Sequence, residues 1–141
     1  MAPLILASKL EALRESLARI ELRTPPTAAE LASDPDLQES VILNVARAVQ
    51  SCADIGSHLV SGSDRPVPST TRGVFEALHA LGAIGEDTAV RLAQAAALNL
   101  AIHRYEDIDW GLVHRACTES LDDFRTFARE IEALLERAEP T

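Results

Sequence analysis

The sequence predicts an all-α protein, a bundle of about five helices joined by short connections. Apolar residues recur every three or four positions through almost the whole chain, which is the period of an amphipathic helix. No stretch of any length alternates polar and apolar residues as a half-buried strand does. Aromatic residues make up only 4% of the chain, so the core has to be built from Leu, Ile, Val and Ala. Such small and branched side chains suit closely packed helices.

The first half of the chain divides into a long helix, a short helical piece and a second long helix. The first helix is stopped by Pro25 and the proline that follows it. Thr27 opens the short piece, because a glutamate three residues later completes the spacing of a capping box. Asp34 caps the second long helix, which ends near Gly62. The apolar stripes of the long helices are Leu6, Leu10, Leu13, Leu17 and Ile20, and then Leu37, Val41, Val45, Ala48, Cys52, Ile55 and Leu59.

The second half begins with the one clear loop, residues 61–69, which is rich in Ser, Gly and Pro. A short helix follows and ends near Gly82. Gly85 restarts the chain with two acidic residues, which a helix N-terminus favours, and an Ala-rich helix continues to about Tyr105. Because that helix is apolar on most faces, it is expected to be central or to lie in a subunit interface. A last helix begins near Asp109 and carries Val113, Cys117, Leu121, Phe124, Ala128, Ile131 and Leu135.

The size and charge of the chain narrow its function. Its 141 residues fit a single domain, 1–141. A net charge of -9 argues against a large nonspecific nucleic-acid surface, because phosphates are repelled at long range. A local cationic pocket is still compatible with this charge. Only Lys9 among the 13 basic residues is a lysine, and arginine binds phosphate through a planar, multi-donor fork.

The two cysteines and the N-terminus point to the cytoplasm. Cys52 and Cys117 lie far apart, each within an apolar helical pattern and without the spacing of metal ligands, so we expect two buried free thiols. The first residues do not have the pattern of a secretory signal, and no apolar run is long enough to span a membrane. We therefore predict a cytoplasmic protein with no membrane association.

Titratable residues gather at the end of the Ala-rich helix. Asn99 and His103 lie at i and i+4, on one face of that helix. An imidazole gains or loses a proton near neutral pH, so His103 is the candidate for acid–base catalysis, with Asn99 placed to orient its ring or to bind an oxyanion. Arg104 adds a permanent positive charge, on a different helical face. The alternative interpretation is a plain helix C-terminus, where cations are stabilised by the helix dipole.

Other polar residues indicate structure rather than chemistry. Three acidic residues near the start of the last helix have the composition of a metal cluster, but their position favours helix capping. We predict no metal site and no cofactor, and the sequence contains no Gly-rich phosphate loop. The isolated polar residues that we interpret as surface or satisfied core positions are His58, His79, His114 and Asp54, and the three acidic residues are Glu106, Asp107 and Asp109.

The segment from Asn99 to Tyr105, followed by Glu106-Asp107-Ile108-Asp109, resembles the signature of the HepT-like HEPN ribonucleases. Its pattern in that family is Arg-Asn, three residues, His, one residue, Tyr, and then an acidic Ile-Asp segment. The likeness extends over most of the chain and its helical order. The other segments that carry it are Leu22-Arg23, Val74-Phe75-Glu76-Ala77-Leu78 and Gly82-Ala83-Ile84.

The resemblance implies the toxin of a bacterial toxin–antitoxin pair with an HEPN-type helical bundle. Such proteins form homodimers in which the signature helices meet and two copies of the motif line one cleft. It further implies a metal-independent endoribonuclease that cleaves RNA, with His103 and Asn99 as catalytic residues. The implied partner is a minimal nucleotidyltransferase antitoxin, which neutralises the toxin by adenylylating the motif tyrosine, here Tyr105.

The chain departs from the family pattern at Leu98, which occupies the position of the motif arginine. Leucine cannot donate hydrogen bonds to a phosphate, and Arg104 is a possible phosphate-binding substitute. Two functions therefore stay open, an active toxin and a catalytically impaired dimer that serves as binding partner or scaffold of a nucleotidyltransferase. An unrelated helical interaction protein is a third alternative.

Overall fold

The computed structural model describes residues 2–104 and 107–138, with side chains for 4–103 and 107–137. Within these ranges the chain forms seven helices and no strand. The predicted all-α fold is confirmed. The helices are α1 (Ala2–Arg23), α2 (Ala28–Ala32), α3 (Pro35–Ser61), α4 (Thr71–Ala80), α5 (Glu86–Arg104), α6 (Trp110–Glu119) and α7 (Leu121–Ala138).

Three of the predicted helix starts are confirmed by their side-chain caps. The Thr27 hydroxyl accepts a hydrogen bond from the Glu30 N–H, 3.2 Å away, at the start of α2. Asp34 accepts from two backbone N–H groups at the start of α3. Asp109 accepts from the Leu112 N–H at the start of α6. In each case a short polar side chain satisfies a donor that the first helical turn leaves without a partner.

The predicted last helix is two helices in the structure. α6 ends at the cap residue Ser120, and α7 begins at Leu121. The apolar stripe keeps its helical period across this break, since Cys117, Leu121 and Phe124 are all buried. A hydrophobic pattern alone therefore does not reveal the bend.

The core lies between the long helices. α3 packs against α1, α4, α5 and α7, and α1 and α7 pack against each other. Phe75 on α4 meets Phe127 on α7 edge to face, with ring centroids 6.4 Å apart, a favoured aromatic geometry. Cys52 and Cys117 are free and buried, as predicted.

The turn between α4 and α5 forms the hairpin that carries the candidate site. Gly82 has φ +78°, a left-handed conformation that glycine adopts without strain. The Ala83 N–H donates to the Leu78 carbonyl and the Gly82 N–H to the His79 carbonyl. This is the Schellman motif, which satisfies the last carbonyls of a helix and reverses the chain.

Along residues 2–104 and 107–138, no helix combines the length and the apolar composition that crossing a membrane requires.

Candidate functional site

α5 is held at both ends of its length by different interactions. Near its start, the Gly85 N–H and the Thr88 hydroxyl both donate to the carboxylate of Glu130 on α7. Further along, Leu92 and Ile102 are buried in the core. The helix therefore presents its last two turns at a defined position on the surface.

His103 is exposed, and its ring folds back on its own helix. Its Nδ1 lies 2.8 Å from the backbone carbonyl oxygen of Asn99. Because a carbonyl only accepts, the neutral ring carries its proton on Nδ1, and Nε2 is the nitrogen that keeps a free lone pair. The ring is thus oriented by the Asn99 backbone, whereas the sequence had pointed to the Asn99 side chain.

The Asn99 side chain lies in a different surrounding from the imidazole. Its Oδ1 is buried and has no hydrogen-bond partner among the described residues. An acceptor in that state costs free energy until a donor reaches it. Among the described residues, Asn99 Oδ1 is therefore an acceptor that still lacks a donor.

Asn99 lines a groove of about 940 Å³ between α3, α4 and α5. Two of its exposed apolar walls are Val90 and Leu100, which are 50% and 51% exposed. His103 is not part of this lining and lies one turn beyond Asn99 on the same helix. The remaining lining includes Gln50, Ser69, Thr70, Thr71, Arg72, Glu76, His79, Glu86 and Gln94.

Leu98 lies outside the lining of the groove. It is half-buried and packs against the hydrophobic core. An apolar side chain suits that surrounding, and the position brings no cation to Asn99 and His103.

Three residues to which the sequence assigned a role lie outside what the structure describes. These are Tyr105, together with its neighbour Glu106, and the side chain of Arg104. Their roles stay predictions. Among the described residues, no three His, Cys, Asp or Glu side chains come together as ligands of a metal ion.

Three of the residues interpreted as structural have structural partners. His114 Nε2 lies 2.8 Å from the Pro25 carbonyl oxygen and ties α6 to the connection after α1. Asp54 pairs with Lys9, 3.2 Å away, and accepts from Gln50. His79 Nδ1 lies 3.3 Å from the Ile84 carbonyl oxygen. His79 and Arg72 also line the groove, which the sequence did not reveal because the loop and α4 carry no motif that places them beside α5.

Residues 13–131 match the family model described as Ribonuclease HepT-like. The chain is 27% identical over 130 residues to the mRNA nuclease HepT of Shewanella oneidensis, covering 92% of this chain and 97% of the relative.

Solved structures agree with this match. A tri-AMPylated Shewanella oneidensis HEPN toxin in complex with MNT antitoxin superimposes with a TM-score of 0.83 at 27% identity, over 92% of this chain and 97% of that one. A toxin–antitoxin structure with AMP-PNP gives 0.83 at 26% identity, over 92% and 98%. The fold alone is shared with the cytosolic protein YutE of Bacillus subtilis, at a TM-score of 0.80 and 14% identity over 96% and 92%. The family model covers well over half of the chain, and the predicted family resemblance is confirmed: this chain belongs to the HepT-like ribonuclease family.

Proposed function

We propose that this chain is the toxin of a toxin–antitoxin pair and cleaves RNA without a metal ion. Its family and its likeness to an mRNA nuclease support this function. The observation that carries it is the exposed imidazole of His103, held through Nδ1 by the Asn99 carbonyl so that Nε2 is free to take a proton. Since RNA, its proposed substrate, is cytoplasmic, we place its activity in the cytoplasm.

The proposed reaction is an internal transesterification of RNA. A ribose 2′-oxygen attacks the adjacent phosphorus while His103 Nε2 takes the proton from the 2′-hydroxyl. The bond from phosphorus to the 5′-oxygen breaks, and this oxygen receives a proton from an imidazolium. The products are a 2′,3′-cyclic phosphate and a 5′-hydroxyl. Asn99 lies one turn from the imidazole and serves to position the phosphate or the ribose.

A homodimer supplies both proton-transfer groups, one imidazole as base and the other as acid. Val90 and Leu100 are half-exposed apolar residues on one face of α5. A homodimer would cover this apolar face with the α5 of a second copy, and the exposed face therefore supports such an assembly. The dimer would then close the groove into a cleft that contains both copies of the motif.

The oligomeric state tests this assembly. Leu100→Asp should shift the sedimentation of the protein from dimer to monomer, because a charge would be buried in the apolar contact. Leu22→Asp is the matched control, since Leu22 is 82% exposed on α1 and outside the groove. A parent chain that is monomeric at high concentration would contradict the proposal.

We further propose that a minimal nucleotidyltransferase antitoxin neutralises the toxin by adenylylating Tyr105. Structures of relatives containing an MNT antitoxin, one with a tri-AMPylated toxin, support this partner. Tyr105 follows His103 by two residues, so nucleotides attached to its phenol would add bulk and negative charge beside the imidazole. Both effects oppose the approach of an RNA phosphate.

Leu98 favours a second function, a catalytically impaired dimer that serves as scaffold or substrate of the nucleotidyltransferase. Losing one stabiliser of transition-state charge commonly costs roughly a hundred- to a thousandfold in rate. Cleavage of RNA by the parent chain and by Leu98→Arg, measured side by side, separates the two functions. An active parent supports the toxin; an inactive parent with an active Leu98→Arg variant supports the impaired dimer.

A further inference from the structure

The site lacks a cation at the position where the family motif places one. Leu98 packs against the core, so this position offers nothing that offsets the charge of a phosphorane. A donor aimed at that charge is a large contribution to catalysis by electrostatic stabilisation. An active enzyme therefore needs a cation from another position.

Arg72, in the first turn of α4, lines the same groove as Asn99. Within the described lining of the groove it is the only Arg or Lys. Glu76 and Glu86 also line the groove. Without Arg72, the fully charged groups that a phosphate would meet in the described lining are these two carboxylates. The guanidinium is thus the group that makes this groove compatible with an RNA backbone.

The guanidinium of Arg72 is exposed and only weakly paired. Its side chain is 77% exposed, and its ion pair with Glu76 spans 3.9 Å between Nε and Oε1, with the glutamate 66% exposed. Exposed pairs of this kind contribute little to stability. Turning the guanidinium away from Glu76 toward a ligand is therefore energetically cheap.

The buried Oδ1 of Asn99 is the second observation. It has no donor among the described residues, and Asn99 lines the same groove as Arg72. A guanidinium presents five N–H donors in a fixed planar arrangement. One edge can donate to an amide oxygen while the other binds a phosphate.

We propose that Arg72 replaces the missing motif arginine, binding the RNA phosphate at the Asn99 end of the groove. This rests on the proposed ribonuclease function. It assigns to α4 a role that the family signature assigns to the position of Leu98.

Two measurements on the full chain test this assignment. The first is the dissociation constant for a 2′-O-methyl RNA oligonucleotide, which binds but lacks the attacking hydroxyl. Arg72→Ala should weaken binding of the oligonucleotide roughly tenfold. It should also lower the number of ions released on binding, measured from the salt dependence of the dissociation constant, by about one. The second is the cleavage rate of unmodified RNA, which should fall roughly a hundredfold or more in Arg72→Ala and less in Arg72→Lys.

Arg65→Ala is the matched control, because Arg65 is exposed in the preceding loop and does not line the groove. It removes the same charge and should leave binding and cleavage near those of the parent. Equal effects of Arg65→Ala and Arg72→Ala, or none in either, would overturn the role of Arg72. A parent that binds the oligonucleotide but leaves RNA uncut would contradict the ribonuclease function, while the binding comparison would still decide whether Arg72 contacts the phosphate. A parent that binds no RNA would overturn both.

Discussion

The carboxylate of Glu130 accepts a hydrogen bond from the Gly85 N–H, 2.6 Å away, although the two residues are 45 positions apart. The same carboxylate accepts from the Thr88 hydroxyl. A side chain of α7 thereby satisfies donors at the start of α5, and it carries the negative charge that a helix N-terminus favours. This contact fixes the start of α5, the helix that carries the candidate site at its other end, against α7.

Glu130→Ala should lower the free energy of unfolding by about 1–2 kcal/mol, because it removes a charged acceptor from the start of α5. Urea denaturation measures the difference. Glu136→Ala is the control, since Glu136 is exposed on the same helix, and it should change stability by less than about 0.5 kcal/mol. Equal stability of the Glu130 and Glu136 variants would contradict the role of this contact.

Gly56→Ala should destabilise the contact between α3 and α4. A Cβ at Gly56 would lie 2.5 Å from Val74 Cγ1 and 3.0 Å from Leu78 Cδ1, and both of these side chains are buried. Overpacking should cost about 1–3 kcal/mol of stability, which exceeds the gain of about 1 kcal/mol from the higher helix propensity of alanine. The control is Gly62→Ala, whose Cβ would meet nothing closer than 3.6 Å. A thermal midpoint of Gly56→Ala at or above that of the parent would rule this packing out.

The two cysteines should resist alkylation in the folded protein. Burial raises the pKa of the Cys117 thiol to about 11, although a hydrogen bond with Thr24 opposes the shift. Burial also raises the pKa of Cys52, which is fully enclosed. Because the thiolate is the nucleophile, both thiols stay protonated and unreactive at pH 8. Iodoacetamide should label neither in the native protein and both in urea, as mass spectrometry would reveal, and rapid labelling of a native thiol would contradict this burial.

Local features of the fold were readable from the sequence. A short polar side chain directly before an apolar helical stripe is typical of a helix N-cap. The structure confirms this role for Thr27, Asp34 and Asp109. The contact of Glu130 with Gly85 was not readable, since it joins elements distant in sequence and leaves no local pattern. The break at Ser120 was also hidden, because the apolar period continues through it.

The candidate site divides in the same way. The spacing of Asn99 and His103 predicted a shared helical face, and the structure places both at the end of α5. The spacing could not indicate that the backbone carbonyl of Asn99, rather than its side-chain amide, orients the His103 ring. The groove and Arg72 follow from the packing of α4 against α5, which only tertiary structure determines.

Tyr105→Phe should abolish neutralisation by the antitoxin and leave RNA cleavage intact. The variant lacks only the phenolic oxygen that would accept the adenylyl group, and Tyr105 is the single tyrosine of the chain. Intact-mass measurement after incubation with ATP and the nucleotidyltransferase should show added AMP on the parent and none on the variant. Addition of AMP to Tyr105→Phe would place the modification on another residue.

Cleavage of RNA in the presence of EDTA by the parent, His103→Ala and His58→Ala tests the central role of His103 most directly. The parent should release fragments ending in 2′,3′-cyclic phosphate, and His103→Ala should be slower by roughly 10²- to 10⁴-fold, because it lacks the proton-transfer group. His58→Ala removes an imidazole on α3, away from the groove lining, and should match the parent. A His103→Ala protein that cuts RNA as fast as the parent would contradict the assignment of His103 as the proton-transfer group.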